Sequence, residues 1–250
     1  MAKVQKNGVA LNGTLETNGV TFYTRKGKTV MRTSTSNQPK RRTREQFIGR
    51  ARMAHSTMLW RALAWQVQPM FSGGTNPYTR FLSLMSKMPS VYLPARMLHS
   101  GASLLLPGMP VSEGEIAPIE YRLGEVDGTP ALITNLPAHL KMDDCLRLYT
   151  INQSDDRNLP RVGIYAEEQI IGRTFTAAPF KDTEVRQLPE GTAFVGEVFG
   201  DVNKGWALMI INGNRCSSQQ VVSRCTLYER YTTEEALLEA AASYGGLTKK

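Results

Sequence analysis

The segment from Ala193 to Ile211 reads AFVGEVFGDVNKGWALMII, and it decides the fold class of this chain. It contains two short runs rich in β-branched, aromatic and aliphatic residues, separated by Asn203-Lys204-Gly205, a combination typical of turns. The second run is continuously apolar from Ala207 to Ile211, which predicts a strand in the middle of a sheet.

The same alternation of short strands and turns extends over residues 113–231. Turns are predicted at Asp127-Gly128, Asp155-Asp156 and Pro189-Glu190-Gly191. The predicted strands are Ile119–Gly124, Ala131–Asn135, Leu146–Ile151, Arg161–Ala166, Ile171–Thr176, Ala193–Phe199, Trp206–Ile211 and Gln220–Tyr228. Short strands punctuated in this way predict an antiparallel, sandwich-like β domain.

Residues 1–42 are predicted to form a basic arm with a β-hairpin. Val20–Thr24 and Thr29–Thr33 have strand composition, and Gly27 tolerates the positive φ that a tight turn between them needs. Residues 1–18 are rich in Gly, Asn and Thr, which is typical of turns and flexible chain.

A long helix is predicted from Thr43 to about Gln68. Thr43 and Gln46 fit a capping box, and Pro69 is a stop. Apolar residues recur on two sides of this helix, which therefore needs cover from the rest of the chain or from neighbouring copies. The predicted helix-packing and oligomer residues are Phe47, Ala51, Met53, Met58, Trp60 and Trp65.

Asn76-Pro77 predicts the start of a second helix, which Pro89 ends. Residues 89–113 contain four prolines and are predicted to be an irregular linker along the surface, so that residues 43–112 form a helical region with a Pro-rich linker. Residues 232–250 are predicted to form a C-terminal helix and tail, capped by Thr232 or Thr233. The predicted class is α+β, with a basic N-terminal hairpin and helices, an antiparallel β-sandwich-like domain and a short last helix.

The net charge of +8 is unevenly distributed along the chain. Residues 1–112 hold 16 lysines and arginines against two glutamates, whereas residues 113–250 hold 14 against 20 acidic residues. Clusters of basic residues attract phosphate backbones or acidic protein surfaces. The predicted polyanion- or partner-binding residues are Arg25, Lys26, Lys28, Arg32, Lys40, Arg41, Arg42, Arg44, Arg50 and Arg52.

Other chemistries have little support in the sequence. Gly27-Lys28-Thr29 lacks the first glycine of a phosphate-binding loop, and a strand rather than a helix follows it. The three histidines and three cysteines lack the paired spacing of zinc sites, and no cofactor, metal ligand or catalytic residue is predicted. Neither a membrane helix nor a signal peptide is indicated, so we expect a cytoplasmic protein, or a virion component, without membrane contact.

The order of motifs in the N-terminal half resembles an uncharacterised family found in Bacteroidota and their phages. The likeness rests on Gly27-Lys28-x-Val30-x-Arg32 and Arg42-Thr43-x-x-Gln46, followed by Asn76-Pro77, Phe81 and Leu106-Pro107-Gly108. It is specific over about residues 19–52, and Arg44 stands where other members more often have proline. The resemblance implies a C-terminal sandwich-like domain, no established catalytic residue, cofactor or substrate, and a role in a phage particle or its assembly.

Three hypotheses about function remain open at this point. The first is a non-enzymatic structural or assembly protein, a homo-oligomer or a component of a multimeric, phage-like particle, anchored through its basic arm. The second is sequence-independent binding of DNA or RNA by the same arm. The third is a carbohydrate-binding or hydrolytic sandwich module with Trp206 and Tyr228 as aromatic platforms, although the apolar run after Trp206 predicts that its side chain is buried.

Overall fold

The computed structural model describes residues 15–17, 20–25, 28–33, 43–71, 76–135, 144–156, 158–170, 181–189 and 191–247. The chain divides into two compact units, residues 1–41 and residues 42–250. The fold is α+β, with antiparallel sheets and a short C-terminal helix, as predicted.

The N-terminal unit contains an antiparallel sheet of three strands, β1 (Leu15–Thr17), β2 (Val20–Arg25) and β3 (Lys28–Thr33), in that order. The predicted hairpin is confirmed as β2–β3, with Arg25 paired to Lys28. Strand β1 was not predicted, because its surroundings are rich in turn-forming residues and their composition conceals a three-residue strand.

The described residues of the larger unit form four α-helices: α1 (Arg44–Val67), α2 (Pro77–Met85), α3 (Ala95–His99) and α4 (Glu234–Ser243). The capping box of α1 is confirmed, since the Thr43 hydroxyl accepts from the Gln46 backbone N–H and the Gln46 side chain accepts from the Thr43 N–H. Asn76 caps α2 through the Tyr78 N–H, and Thr233 caps α4. These starts are set locally, by a side chain two or three residues from the N–H it binds.

Eleven further strands build the sheets of this unit among the described residues. They are β4 (Pro110–Ser112), β5 (Tyr121–Val126), β6 (Thr129–Thr134), β7 (Cys145–Asp156), β8 (Leu159–Ile170), β9 (Glu184–Leu188), β10 (Gly191–Val195), β11 (Lys204–Asn212), β12 (Arg215–Cys216), β13 (Gln219–Gln220) and β14 (Val222–Ser223). One sheet has the order β5-β6-β10-β9 and another the order β12-β11-β7-β8, with β14 also paired to β11. A separate two-stranded sheet joins β13 to β4.

The sheet built around β11 and β7 is buried on both faces. Its alternate residues Ala207 and Met209 belong to a core shared with α1 and α2, whereas Trp206 and Leu208 belong to a core shared with the β5-β6-β10-β9 sheet. This double cover explains why β11 is continuously apolar, and it confirms the predicted central strand.

The prediction of a surface linker over residues 89–113 is wrong. Most of its apolar residues are buried, and the buried ones are Val91, Tyr92, Leu93, Leu98, Ala102, Leu104, Leu105, Leu106, Met109 and Val111. Irregular chain usually stays at the surface because its backbone needs hydrogen-bond partners. Here buried side chains supply them: His55 Nε2 accepts from the Leu104 N–H at 3.0 Å, and Gln153 Oε1 from the Leu105 N–H at 2.7 Å.

Several predicted strands also need correction. Gln220–Tyr228 contains only short pairings, and a 3₁₀ helix occupies Leu227–Tyr231. Asp155 and Asp156 end β7 instead of forming the turn, while Ile171–Thr176 lies outside the described residues. The Asp127-Gly128 turn is confirmed, with φ values of 51° and 79°.

Candidate functional site: the basic segment and helix α1

The N-terminal unit holds most of the excess positive charge. Residues 1–41 contain eight lysines and arginines and one glutamate, whereas residues 42–250 contain 22 basic and 21 acidic residues. In the β2–β3 register Arg25 pairs with Lys28 and Thr21 with Arg32, so these four positions share one face of the hairpin. Lys26, Lys40, Arg41 and Arg42 lie outside the described residues.

Arg44 lies at the exposed start of α1 and forms an ion pair within the chain. Its Nη1 and Nη2 atoms donate to the two carboxylate oxygens of Glu234, each at 2.5 Å. The hydrogen bonds from Arg44 hold the pKa of Glu234 below its ordinary value, and Glu234 raises the pKa of Arg44. A bidentate pair of this kind fixes the start of α1 beside the start of α4.

Arg52 is bound by the chain in a different way. Its Nε donates to the Ser90 hydroxyl at 3.0 Å and its Nη1 to the Ser86 backbone carbonyl at 2.9 Å. The guanidinium thus joins α1 to the residues that follow α2. Arg50, two residues earlier on the helix, is exposed.

The predicted packing residues of α1 lie in different environments. Phe47 is buried in a small core with α4, and Ala51, Met58 and Trp60 are partly buried. Met53 and Trp65 are exposed. The buried face of α1 carries His55, Ser56, Leu59, Leu63 and Val67 together with Phe47, so Phe47 alone of the predicted packing residues belongs to it.

His55 was considered in the sequence only as a metal ligand, and its structural role was missed. Burial lowers its pKa from an ordinary value of 6.5 to about 4. The neutral ring therefore serves as an acceptor for buried backbone. No pattern in the sequence around position 55 identifies the partner 49 residues away.

A surface groove of about 960 Å³ lies between the end of α2, strand β5 and residues 218–224. Its lining is mixed, with Lys87 and Arg224 as exposed cations, Glu120 as an exposed acid and several prolines. Tyr121 lines it and donates its hydroxyl to the Gln220 backbone carbonyl, while burial raises the pKa of Tyr121. The sequence did not predict this groove, because its walls come from segments about a hundred residues apart.

The thiols are free, and all three lie among the described residues. Cys216 and Cys225 are buried, and burial raises the pKa of both, which favours the less reactive protonated form. Trp206 is fully buried, as predicted, and Tyr228 packs against the core that the central sheet shares with α1 and α2. Within the described part of the chain, no group of three His, Cys, Asp or Glu residues could hold a metal ion.

None of the helices formed by the described residues is long and apolar enough to cross a membrane. Comparison of the whole chain with protein-family models gives no match. The curated proteins and the solved structures also contain no match to it.

Proposed function

We propose that this protein is a non-enzymatic assembly protein, a component of a multimeric particle to which it attaches through its basic N-terminal unit. The observation that carries the proposal is the distribution of charge between the two units. A small unit with eight basic residues and one acid is joined to a large unit that is nearly neutral. The family resemblance adds the expectation of a phage-like particle.

The charges inside the larger unit support this division of roles. Residues 42–112 are basic and residues 113–250 acidic, and ion pairs join these two segments at Arg44–Glu234 and Arg80–Glu113. Their opposite charges compensate each other within one folded body. The basic residues of the N-terminal unit lack such a balance in their own unit, because Glu16 is its single acid.

The test compares the full chain with a variant in which Arg25, Lys26, Lys28 and Arg32 are all replaced by Gln. Light scattering and sedimentation should show an assembled wild type whose mass falls with added salt, since salt screens charge. The variant should remain smaller at every salt concentration. A wild type that stays monomeric, or a variant that assembles like wild type, would contradict the proposal.

The matched control neutralises four exposed basic residues of the larger unit. The substitutions are Lys87→Gln, Arg96→Gln, Arg215→Gln and Arg224→Gln. The control changes net charge by the same amount as the variant with Gln at positions 25, 26, 28 and 32, which we call the hairpin variant. It should assemble like wild type, which would show that the position of the charge matters and not its total.

A second candidate function is sequence-independent nucleic-acid binding by the N-terminal unit. It is favoured by the charge density of residues 1–41 and by the shared face of Arg25, Lys28 and Arg32. Fluorescence anisotropy with two duplexes of unrelated sequence should then give equal affinities that fall steeply with salt. The hairpin variant should lose this binding, and a wild type that binds neither duplex at low salt would remove the candidate.

A further inference from the structure

Helices α1 and α4 carry most of the exposed apolar surface that comes from large side chains. Five large hydrophobic residues are exposed in the described part of the chain, and three of them lie on these helices. The exposed fraction of the residue is 53% for Met53, 67% for Trp65 and 54% for Leu238. Single exposed apolar residues are ordinary, but their concentration on two helix faces indicates contact with a partner.

The exposed side of α1 is basic. Arg50, Met53, Arg61 and Trp65 are exposed, and their spacing places them within about a third of the helix circumference. The helix has no acidic residue after Glu45. We call these four residues the α1 outer face.

The exposed side of α4 has the opposite charge. Glu235, Leu238 and Glu239 are exposed, while the inner side of the helix buries Leu237, Ala240 and Ala241. Helix α4 contains no basic residue. We call Glu235, Leu238 and Glu239 the α4 outer face; Glu234 is not included, because it is bound to Arg44.

We propose that the α1 outer face of one copy binds the α4 outer face of a second copy of this chain. The two faces are complementary in charge, and exposed apolar residues lie beside the charged groups, Met53 and Trp65 on the α1 outer face and Leu238 on the α4 outer face. The inference rests on the proposed assembly role and names a partner and a surface for it.

The contact joins two different faces of the molecule, so it can repeat from copy to copy. Exposed ion pairs contribute little affinity, whereas complementary charge selects the orientation and speeds association. The apolar residues therefore supply most of the affinity. The arginines and glutamates determine which faces meet.

The experiment reverses the charge of each face in the full chain. One variant carries Arg50→Glu and Arg61→Glu, another Glu235→Arg and Glu239→Arg, and a third all four substitutions. Self-association is measured by sedimentation velocity, with thermal unfolding as a check that each variant folds. Each double variant should associate at least about tenfold more weakly than wild type, because like charges then face each other.

Association should return in two ways that loss of folding could not produce. The fourfold variant should associate like wild type, and so should an equimolar mixture of the two double variants. A control with Lys87→Glu and Arg224→Glu should leave association unchanged. Met53→Ser with Leu238→Ser should weaken association at low and at high salt alike, since their contribution is apolar.

Double variants that associate like wild type would overturn this inference, and so would a fourfold variant or mixture that fails to recover. The hairpin variant separates this failure from that of the proposed function. If it disassembles while the helix variants do not, the attachment role stands without the helix contact. If the helix variants disassemble and the hairpin variant does not, the helix contact stands and the attachment role fails.

Discussion

Residues 1–41 and residues 42–112 are equally basic, each with eight lysines and arginines against one glutamate. Their structural settings differ. In the second segment Arg44 binds Glu234, and Arg80 binds Glu113. Arg52 binds Ser86 and Ser90. This segment belongs to the larger unit, which we call the body. The first segment forms a separate unit that has one acidic residue of its own.

From this difference we expect equally charged segments to have different roles. Arginines whose guanidinium groups bind the same chain hold elements together, and the free energy of those contacts belongs to folding. Basic residues in a unit without balancing acids remain an excess that an outside partner can neutralise. The following predictions test this contrast, from the largest expected effect to the smallest.

The strongest test asks whether the segment before residue 113 belongs to the core. Leu105 is fully buried and its backbone N–H donates to Gln153, so Leu105→Ala should lower the free energy of unfolding by roughly 3–5 kcal/mol. Urea unfolding measures the change. Val202→Ala, at a position 58% exposed, is the control and should change it by less than about 0.5 kcal/mol. Similar values for the two variants would mean that this segment is not core.

The next largest effect depends on pH. Because the pKa of His55 falls from 6.5 to about 4 on folding, the unfolded chain takes up a proton between these pH values and the folded chain does not. The contribution of neutral His55 to the free energy of unfolding is therefore fully present above pH 6.5, and it is lost as the pH drops toward 4. The loss should be about 3 kcal/mol, measured by urea unfolding across this range.

His55→Gln isolates this contribution from the titration of carboxylates in the same range. The variant keeps an acceptor near the Leu104 N–H but has no titrating group, so its stability should depend less on pH than that of wild type. His99→Gln, at an exposed position, should retain the wild-type dependence. A His55→Gln variant with an unchanged pH dependence would refute the role of the buried ring.

Two arginines on one helix test the contrast at closer range. Arg52→Ala removes hydrogen bonds to Ser90 and Ser86 and should cost about 1–2 kcal/mol of folding stability. Arg50→Ala, at an exposed position, should cost less than about 0.5 kcal/mol. Thermal unfolding of the two variants side by side measures the difference, and equal stabilities would break the distinction between the two kinds of basic residue.

The smallest expected effect on folding belongs to the N-terminal unit. Neutralising Arg25, Lys26, Lys28 and Arg32 together should change the unfolding free energy of the body by less than about 0.5 kcal/mol, because these residues belong to a separate unit. The same variant should lose the attachment to the multimeric particle that we propose for the N-terminal unit. A large drop in the melting temperature of the body would instead indicate that the N-terminal unit contributes to the stability of the body.

Much of the fold follows from local patterns, and the errors lie where the decisive partner is distant. The start of α1 and the turn at Asp127 are specified within a few residues, and both predictions are correct. The prolines of segment 89–113 predict an irregular surface linker, whereas the structure forms α3 and β4 within it and buries most of its apolar residues. The burial of this segment depends on His55 and Gln153, each about 50 residues from the N–H that it binds.

The candidate site divides along the same line. The sequence predicted the basic residues and the hairpin that carries some of them, and it predicted Met53 and Trp65 as packing residues, which the structure shows to be exposed. It did not distinguish Arg50 from Arg52, because both are arginines on a predicted helix and only the neighbouring Ser86 and Ser90 separate them. The acidic face of α4 was also missed, since its exposure depends on which side of the helix packs on the body.

The sequence by itself determined the α+β class, the helix caps, the hairpin and the central strand β11. These features arise from hydrogen bonds and side-chain periodicity within a few residues, which the order of residues specifies directly. Only the tertiary structure decided that the Pro-rich segment is core, that Arg44 and Arg80 are paired, and that residues 1–41 form a separate unit. Burial and ion pairing depend on distances between residues far apart in the chain, and those distances exist only once the chain has folded.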